Sequence, residues 1–136
     1  MMISTRGRYA LRVVLDLAEQ QRDTLIPLQE IADRQEISEK YLEGILPVLV
    51  REGLLEGARG KGGGYRLTKS PNEYTVGSIL KLTEKSLATV SCLQDDADPC
   101  PRVGSCKTIP MWQKLDAMID GFLEGITIAD LLKPRE

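Results

Sequence analysis

Apolar residues recur at helical spacing in a series of separate stretches along the chain. Between Thr5 and about Gln21, the residues Ala10, Val13, Val14, Leu17 and Ala18 fall three and four positions apart, which puts them on one face of an amphipathic helix. Pro27, fixed in φ, precedes Leu28, Ile31 and Ala32, the inward positions of a shorter helix from about Leu28 to Arg34. Ser38 can cap a third helix, whose stripe of Leu42, Ile45, Leu46 and Leu49 runs to about Glu52. Pro47 lies inside it and removes one hydrogen bond, so a bend is expected there. Two short amphipathic helices joined by three or four residues predict a helix-turn-helix.

Gly53 ends the third helix. Leu54 to Ala58 and Tyr65 to Thr68 then read as short strands around the tip Arg59-Gly60-Lys61-Gly62-Gly63-Gly64, a wing-like hairpin. Four glycines suit positive φ and close backbone approach to a partner; a flexible turn with no partner is the plainer alternative. Val76, Ile79, Leu80 and Thr83 mark a fourth helix, after which residues 86–108 lose periodicity and collect Pro99, Pro101 and Gly104, predicting a loop. Met111, Leu115, Met118, Ile119 and Phe122 repeat over about three turns of a further helix. That surface either covers the chain's own core or pairs with a second copy, twofold dimers being the commonest assembly. Thr127 can cap a last short helix carrying Ile128, Leu131 and Leu132, with Asp130 at its third position, expected to pack back on the N-terminal part. The expected fold is therefore mainly α with a small β-hairpin wing: a winged helix-turn-helix domain over residues 1–85, a cysteine-containing loop over 86–108, and a long dimerisation helix with its short terminal helix over 109–136.

Composition narrows the function. With 136 residues, 42% hydrophobic and 28% charged, the chain suits one folded domain with an appendage. It has no histidine, which excludes imidazole general bases, the usual nucleophilic triads and histidine-containing zinc sites and so removes most hydrolases; with no proton-transfer partner for the cysteines visible in the sequence either, no enzyme is expected. The opening apolar run is too short to span a bilayer, and Asp16 and Glu19 stand where a cleavage site needs small residues; neither a membrane span nor a signal peptide is expected. An odd number of cysteines with no export signal implies a reducing cytoplasm and free or metal-bound thiols.

The net charge of −2 hides two basic clusters. Arg6, Arg8 and Arg12 precede the first acid, and Arg59, Lys61, Arg66 and Lys69 share a window that contains none. Each points to polyanion contact or to a solvated face. If the third helix enters the major groove of double-stranded DNA, its outward residues near the N-terminus are Glu39, Lys40, Tyr41, Glu43 and Gly44, with Ser38 at the cap. Lys40 can reach phosphate or guanine, Tyr41 can donate to phosphate, and Glu43 can accept from cytosine N4 while repelling misplaced phosphate. At the wing tip, Arg59 with Gly60 has the reach to enter a minor groove, and Lys61 and Arg66 would hold phosphates. The expected DNA-binding set is Arg6, Ser38, Lys40, Tyr41, Glu43, Arg59, Gly60 and Lys61, and a dimer would bind two operator half-sites.

Cys92, Cys100 and Cys106 have the spacing C-x7-C-x5-C. Three convergent thiolates favour soft metals, and an iron-sulfur cluster normally asks for four protein ligands. The fourth could be Asp95, Asp96, Asp98, another carboxylate, a partner chain or a small exogenous ligand. A mononuclear zinc site and metal-free thiols are the other readings.

In order along the chain, STRGRYALRVVLDLA, LQEIADRQEISEKYLEGIL, RGKGGGYRL, YTVGSIL, the W-x2-L pattern at Trp112 and Leu115, and ITIADL resemble the family of IscR, NsrR and CymR regulators. These are dimeric winged-helix transcription factors that sense iron-sulfur clusters, nitric oxide or cysteine metabolism. The resemblance implies that Tyr41 and Glu43 lie on the recognition helix, that Arg59 probes the minor groove, and that Met111 to Leu123 belong to the dimerisation helix. It also implies that Cys92, Cys100 and Cys106 hold an iron-sulfur cluster, 2Fe-2S rather than 4Fe-4S, which controls operator affinity. Two positions depart from the pattern: Ile109 stands where one member has a histidine three residues after its last cysteine, and Arg8 where others have an acid. The expected function is cluster-controlled transcriptional regulation. The alternatives are a cluster-free thiol or cysteine-metabolism sensing repressor with a partner enzyme as effector, and a winged-helix protein-interaction module.

Overall fold

A computed structural model describes residues 2–20 and 23–135. Among them the chain forms α1 (Thr5–Gln20), α2 (Leu28–Gln35), α3 (Glu39–Arg51), the strands β1 (Leu55–Ala58) and β2 (Gly64–Leu67), α4 (Val76–Thr83), α5 (Ile109–Glu124) and α6 (Ile128–Leu131). Gln21, the expected end of the first helix, lies outside the described residues.

The apolar stripes of α1, α2 and α3 meet in one core, with Ala10, Val13, Val14, Ile31, Leu42, Leu46 and Leu49 all fully buried. α1 is the spine, touching α2, α3, α4, α6 and β2. The turn between α2 and α3 is made by Glu36 in the left-handed region (φ 56°), whose N–H returns to Ala32 O, followed by buried Ile37. Ser38 then caps α3, its side chain accepting from Tyr41 N at 3.1 Å. α3 continues through Pro47 to Arg51.

β1 and β2 pair antiparallel from Leu55 opposite Leu67 to Ala58 opposite Gly64. Ile26 adds to the free side of β2, exchanging two backbone hydrogen bonds with Tyr65 at 2.8 and 2.9 Å, so the wing is fastened to the segment leading into α2. β1 starts one residue later than the apolar pattern suggests, and β2 keeps the expected length but lies one residue earlier, at Gly64–Leu67 in place of Tyr65–Thr68. Leu54 N–H goes to Leu49 O (2.9 Å) and finishes the helix end, while Thr68 N–H goes to the Tyr74 hydroxyl (2.9 Å). Tyr74 is fully buried and its hydroxyl also donates to Leu54 O at 2.7 Å.

Thr127 caps α6 through Asp130 N, and Ile128 of α6, in contact with α1, is fully buried with its N–H on Tyr74 O. The segment between α4 and α5 is irregular apart from a single 3-10 turn at Ser91–Leu93. Lys81 ties α4 to α5 through Asp120 (2.7 Å) and Glu124 (3.1 Å), yet no residue of α5 is fully buried. The architecture is a winged helix-turn-helix followed by a long C-terminal helix.

Candidate nucleic-acid interface and cysteine loop

Helical periodicity divides the start of α3 cleanly: Leu42, Ile45 and Leu46 are buried, whereas Glu39, Lys40, Tyr41, Glu43 and Gly44 are exposed. Arg6 reaches this surface from α1, its Nη2 donating to Gly44 O at 3.1 Å. Arg6, Ser38, Lys40 and Tyr41 thereby line one shallow cleft at the N-terminal end of α3. The helix end, Lys40 and Arg6 all favour an anion there, and the Ser38 hydroxyl keeps a proton to donate.

Tyr41 is held from α1 by Tyr9, ring edge to ring face, and the Arg12 guanidinium lies 5.1 Å from the Tyr9 ring centroid. Arg12 also donates to the Gln35 side-chain oxygen (3.1 Å) and to the Gln35 carbonyl. Gln35 in turn donates to Asp16 (2.9 Å), and Arg34 meets the same carboxylate with two bonds of 2.8 and 2.9 Å. Asp16 is only 1% exposed. The arginine cluster of α1 is thus divided in the fold. Arg12 belongs to the network bracing α1 against α2, Arg8 donates to the Thr5 hydroxyl (3.1 Å), and Arg6 touches α3. Neither the packing of Tyr9 nor the buried bracing role of Asp16 is evident from spacing alone; for Asp16 the signal is an acid inside the apolar stripe between Val13 and Leu17.

At the wing tip, Arg59, Gly60 and Lys61 are exposed, and Gly60 (φ 87°) and Gly62 (φ 78°) take the left-handed backbone the turn demands. Glu39 and Glu43 of α3, Gln29 of α2, and Arg59 and Gly60 of the wing wall a single cleft. Arg66 does not join them. Expected to hold phosphate, it instead donates to Glu56 (2.7 Å) and to Asp23 O (2.6 Å), bracing the base of the hairpin. The same bond to Arg66 holds the Glu56 carboxyl below the usual carboxylate range.

Of the three free thiols, Cys92 is exposed on the 3-10 turn, and Cys100 and Cys106 are half-buried. Cys106 stands just before α5, with its Sγ 3.3 Å from the Thr108 hydroxyl. That hydroxyl, with the backbone N–H groups of Thr108 and Ile109, holds the thiol below the ordinary cysteine range. Among the described residues no three cysteine, aspartate or glutamate side chains come close enough to hold a metal ion. The convergence expected from the spacing is therefore not formed in this conformation. The donor chemistry nonetheless suits a soft metal: three thiols, one inclined to the thiolate, on a segment with no strand or α-helix to hold them apart. Behind the loop lies a cavity of about 410 Å³ between the end of α4 (Lys81, Glu84), the loop (Leu87, Leu93) and α5 (Asp116, Ile119).

Met111, Leu115, Met118 and Phe122 form an outward stripe on α5, 53%, 37%, 63% and 67% exposed. Ile119, grouped with them by spacing, faces the cavity instead. No helix among the described residues is long and apolar enough to cross a membrane.

Residues 3–134 match the family model Rrf2, described as iron-dependent transcriptional regulator. The chain is 35% identical over 136 residues to the HTH-type transcriptional regulator IscR of Aliivibrio salmonicida, covering all of this chain and 80% of that one. Among solved structures, CymR of B. subtilis, described as the global cysteine regulator, superposes with a TM-score of 0.76 at 31% identity over 97% of this chain and 96% of that one. T. potens IscR superposes with a TM-score of 0.75 at 33% identity over 97% and 86%.

Proposed function

Because this chain belongs to the Rrf2 family of transcriptional regulators, we propose that it grips operator DNA as a homodimer in the cytoplasm and that an iron-sulfur cluster on its cysteine loop alters the grip. The observation that carries the DNA reading is the shared cleft of Glu43 and Arg59, a reading helix and a basic wing tip facing the same space. Lys40, Tyr41, Ser38 and Arg6 take phosphate, Glu43 selects among base edges in the major groove, and Arg59 with Gly60 enters the minor groove while Lys61 holds its phosphates. The stripe Met111, Leu115, Met118 and Phe122 is covered by the same stripe of a second copy, which sets two reading heads for two half-sites.

Cys92, Cys100 and Cys106 would hold the cluster, 2Fe-2S rather than 4Fe-4S, with a fourth ligand from outside this set. Such a cluster, when bound, supplies an iron- and redox-responsive crosslink. The chain's own part is linkage: a loop drawn together and a loop left open favour different placements of the reading head, and a difference of about 1.4 kcal/mol changes affinity tenfold. Supporting this reading are the three thiols on one loop and the 35% identity to a regulator named IscR.

A second reading, a cluster-free thiol regulator with a partner enzyme as effector, draws on the separation of the three thiols and on the likeness to CymR. Purification without oxygen distinguishes the two. The cluster reading expects visible absorption, stoichiometric iron and a salt-sensitive duplex affinity that changes when iron is removed; colourless, iron-free protein with unchanged DNA binding favours the second. A Phe122→Asp variant should sediment as a monomer and lose operator affinity if the stripe is the dimer face.

A further inference from the structure

Glu84 is the last point at which the chain is anchored before the cysteine loop begins. Its N–H donates to Leu80 O (2.9 Å), closing α4. Its carboxylate accepts from both Ser4 N (2.5 Å) and the Ser4 hydroxyl (2.6 Å). Ser4 is in turn the cap of α1: its hydroxyl oxygen accepts from Gly7 N (2.9 Å) and its carbonyl from Arg8 N (3.1 Å). Contact here is close enough that a Cβ on Gly7 would stand 3.0 Å from Leu80 Cδ2 and Thr83 Oγ1 and 3.3 Å from Glu84 Cδ. A shift at the end of α4 is therefore felt by the first turn of α1 without slack.

From the other side, Glu84 walls the cavity together with Ser86, Leu87 and Leu93 of the loop, and Leu93 follows Cys92 directly. Within that same first turn of α1, Arg6 donates to Gly44 O on the exposed face of α3. A single carboxylate thus stands between the root of the thiol-bearing segment and the helix turn that holds the reading face.

We propose that Glu84 is a positioning residue that passes the state of the cysteine loop to α3 through the Ser4 cap and Arg6. Drawing the loop toward or away from the cavity moves the Glu84 carboxylate. Ser4 N–H and hydroxyl then lose their acceptor, the first turn of α1 loosens, and the Arg6 bond to Gly44 loosens with it. The inference rests on the loop-regulated DNA-binding reading above, but it concerns a contact whose behaviour can be followed without DNA or metal.

The test is amide hydrogen exchange on the full chain with its thiols free or carbamidomethylated by iodoacetamide, in wild type, Glu84→Ala and Glu84→Gln. In wild type, modifying the loop should change exchange at Gly7 and Arg8 and at Gly44 and Ile45 by about fivefold or more, the lower end of ordinary coupling. In Glu84→Ala the response at both places should fall below about twofold. Glu84→Gln retains one carbonyl acceptor and should respond in between. Should the alanine variant lose protection throughout the chain, Glu84→Gln and Ser4→Ala carry the same comparison. A wild-type response confined to residues 84–109 overturns the proposal. So does a Glu84→Ala protein that passes the change to Gly44 as wild type does, or one in which only α1 loosens, equally in both thiol states. Failure to recover any bound duplex from a random-sequence DNA selection would instead defeat the DNA-binding reading, and the exchange result would still decide the role of Glu84.

Discussion

Tyr41 of α3 meets Tyr9 of α1 with ring centroids 5.4 Å apart and planes at 73°. Tyr41 remains 39% exposed, so the contact does not bury it but limits how the ring can turn, and under the proposed DNA reading its hydroxyl is the group offered to phosphate. Pre-ordering of this kind lowers the entropy that binding must overcome. Tyr9→Leu should therefore weaken operator binding in fluorescence anisotropy by about 0.5–1.5 kcal/mol, the usual worth of such a ring pair. In a Tyr41→Ala background the same substitution should have no further effect on affinity. Additive losses would mean that Tyr9 acts independently of Tyr41.

Two wing glycines should differ sharply. At Gly64 φ is 146°, and an added Cβ would fall on the Ile26 carbonyl and within 2.8 Å of Pro27 N. Both obstacles are backbone, so neither can rotate away. Gly64→Ala is expected to cost about 3 kcal/mol, break the Ile26–Tyr65 hydrogen bonds and misdirect the wing. Gly60→Ala meets only the strain of φ 87° in open space at a tip that can relax, and should cost about 1 kcal/mol. Urea denaturation of the two variants checks the order.

Charge at the wing separates into free and engaged groups. Lys61 at the tip should act as a phosphate ligand, and Lys61→Ala should reduce the slope of log affinity against log salt by about one. Arg66→Ala should leave that slope nearly unchanged, since its guanidinium is already occupied by Glu56 and the Asp23 carbonyl. Equal slope changes for both would mean that Arg66 leaves Glu56 for DNA.

What the chain discloses to inspection follows from the range of the interactions. The stripes of α1 and α3, the Ser38 cap and the left-handed glycines of the tip are local, and periodicity and turn chemistry reveal them. Tyr74 is different: it sits between a Ser-Pro-Asn turn and α4, and only the fold brings its hydroxyl to Leu54 and Thr68. Arg66 reads as an available cation until Glu56 is placed opposite it in the hairpin register. Ile119 shares its spacing with the exposed stripe, and only the packing of α5 against α4 turns it inward. The relative placement of Cys92, Cys100 and Cys106 has no periodic element to set it, so spacing conveys their number and order but not their separation.

Asp16 is a buried carboxylate inside the apolar face of α1, matched by both Arg34 bonds and by Gln35. Pairing with Asp16 first, then Glu30, raises the Arg34 guanidinium above its ordinary range, so it stays charged at every working pH. Arg34 is 31% exposed, so removing its partner does not strand a fully buried charge. Asp16→Ala should accordingly lower unfolding free energy by about 2–3 kcal/mol, short of the loss for a fully buried pair, and chemical denaturation measures it. Because the same network reaches Arg12 and Tyr9, the variant should also lose part of the Tyr9–Tyr41 coupling described above.

Cys106 offers a pH-dependent signature of the loop. Hydrogen bonding from the Thr108 hydroxyl, then from the Thr108 and Ile109 N–H groups, stabilises the thiolate and lowers its pKa. Only the thiolate attacks an alkylating reagent, so modification of Cys106 by iodoacetamide, followed by peptide mass spectrometry, should begin at lower pH than for an unperturbed cysteine. Thr108→Val removes the largest of these contributions and should move the midpoint of the rate profile to higher pH, while the backbone donors keep it from returning fully to the ordinary value. If cluster assembly draws the three thiols together, reconstitution should abolish this reaction at every pH in the wild type. A Cys106 that alkylates at the same rate before and after reconstitution would show that this sulfur is not a ligand, and would leave the thiol-sensing reading in its place.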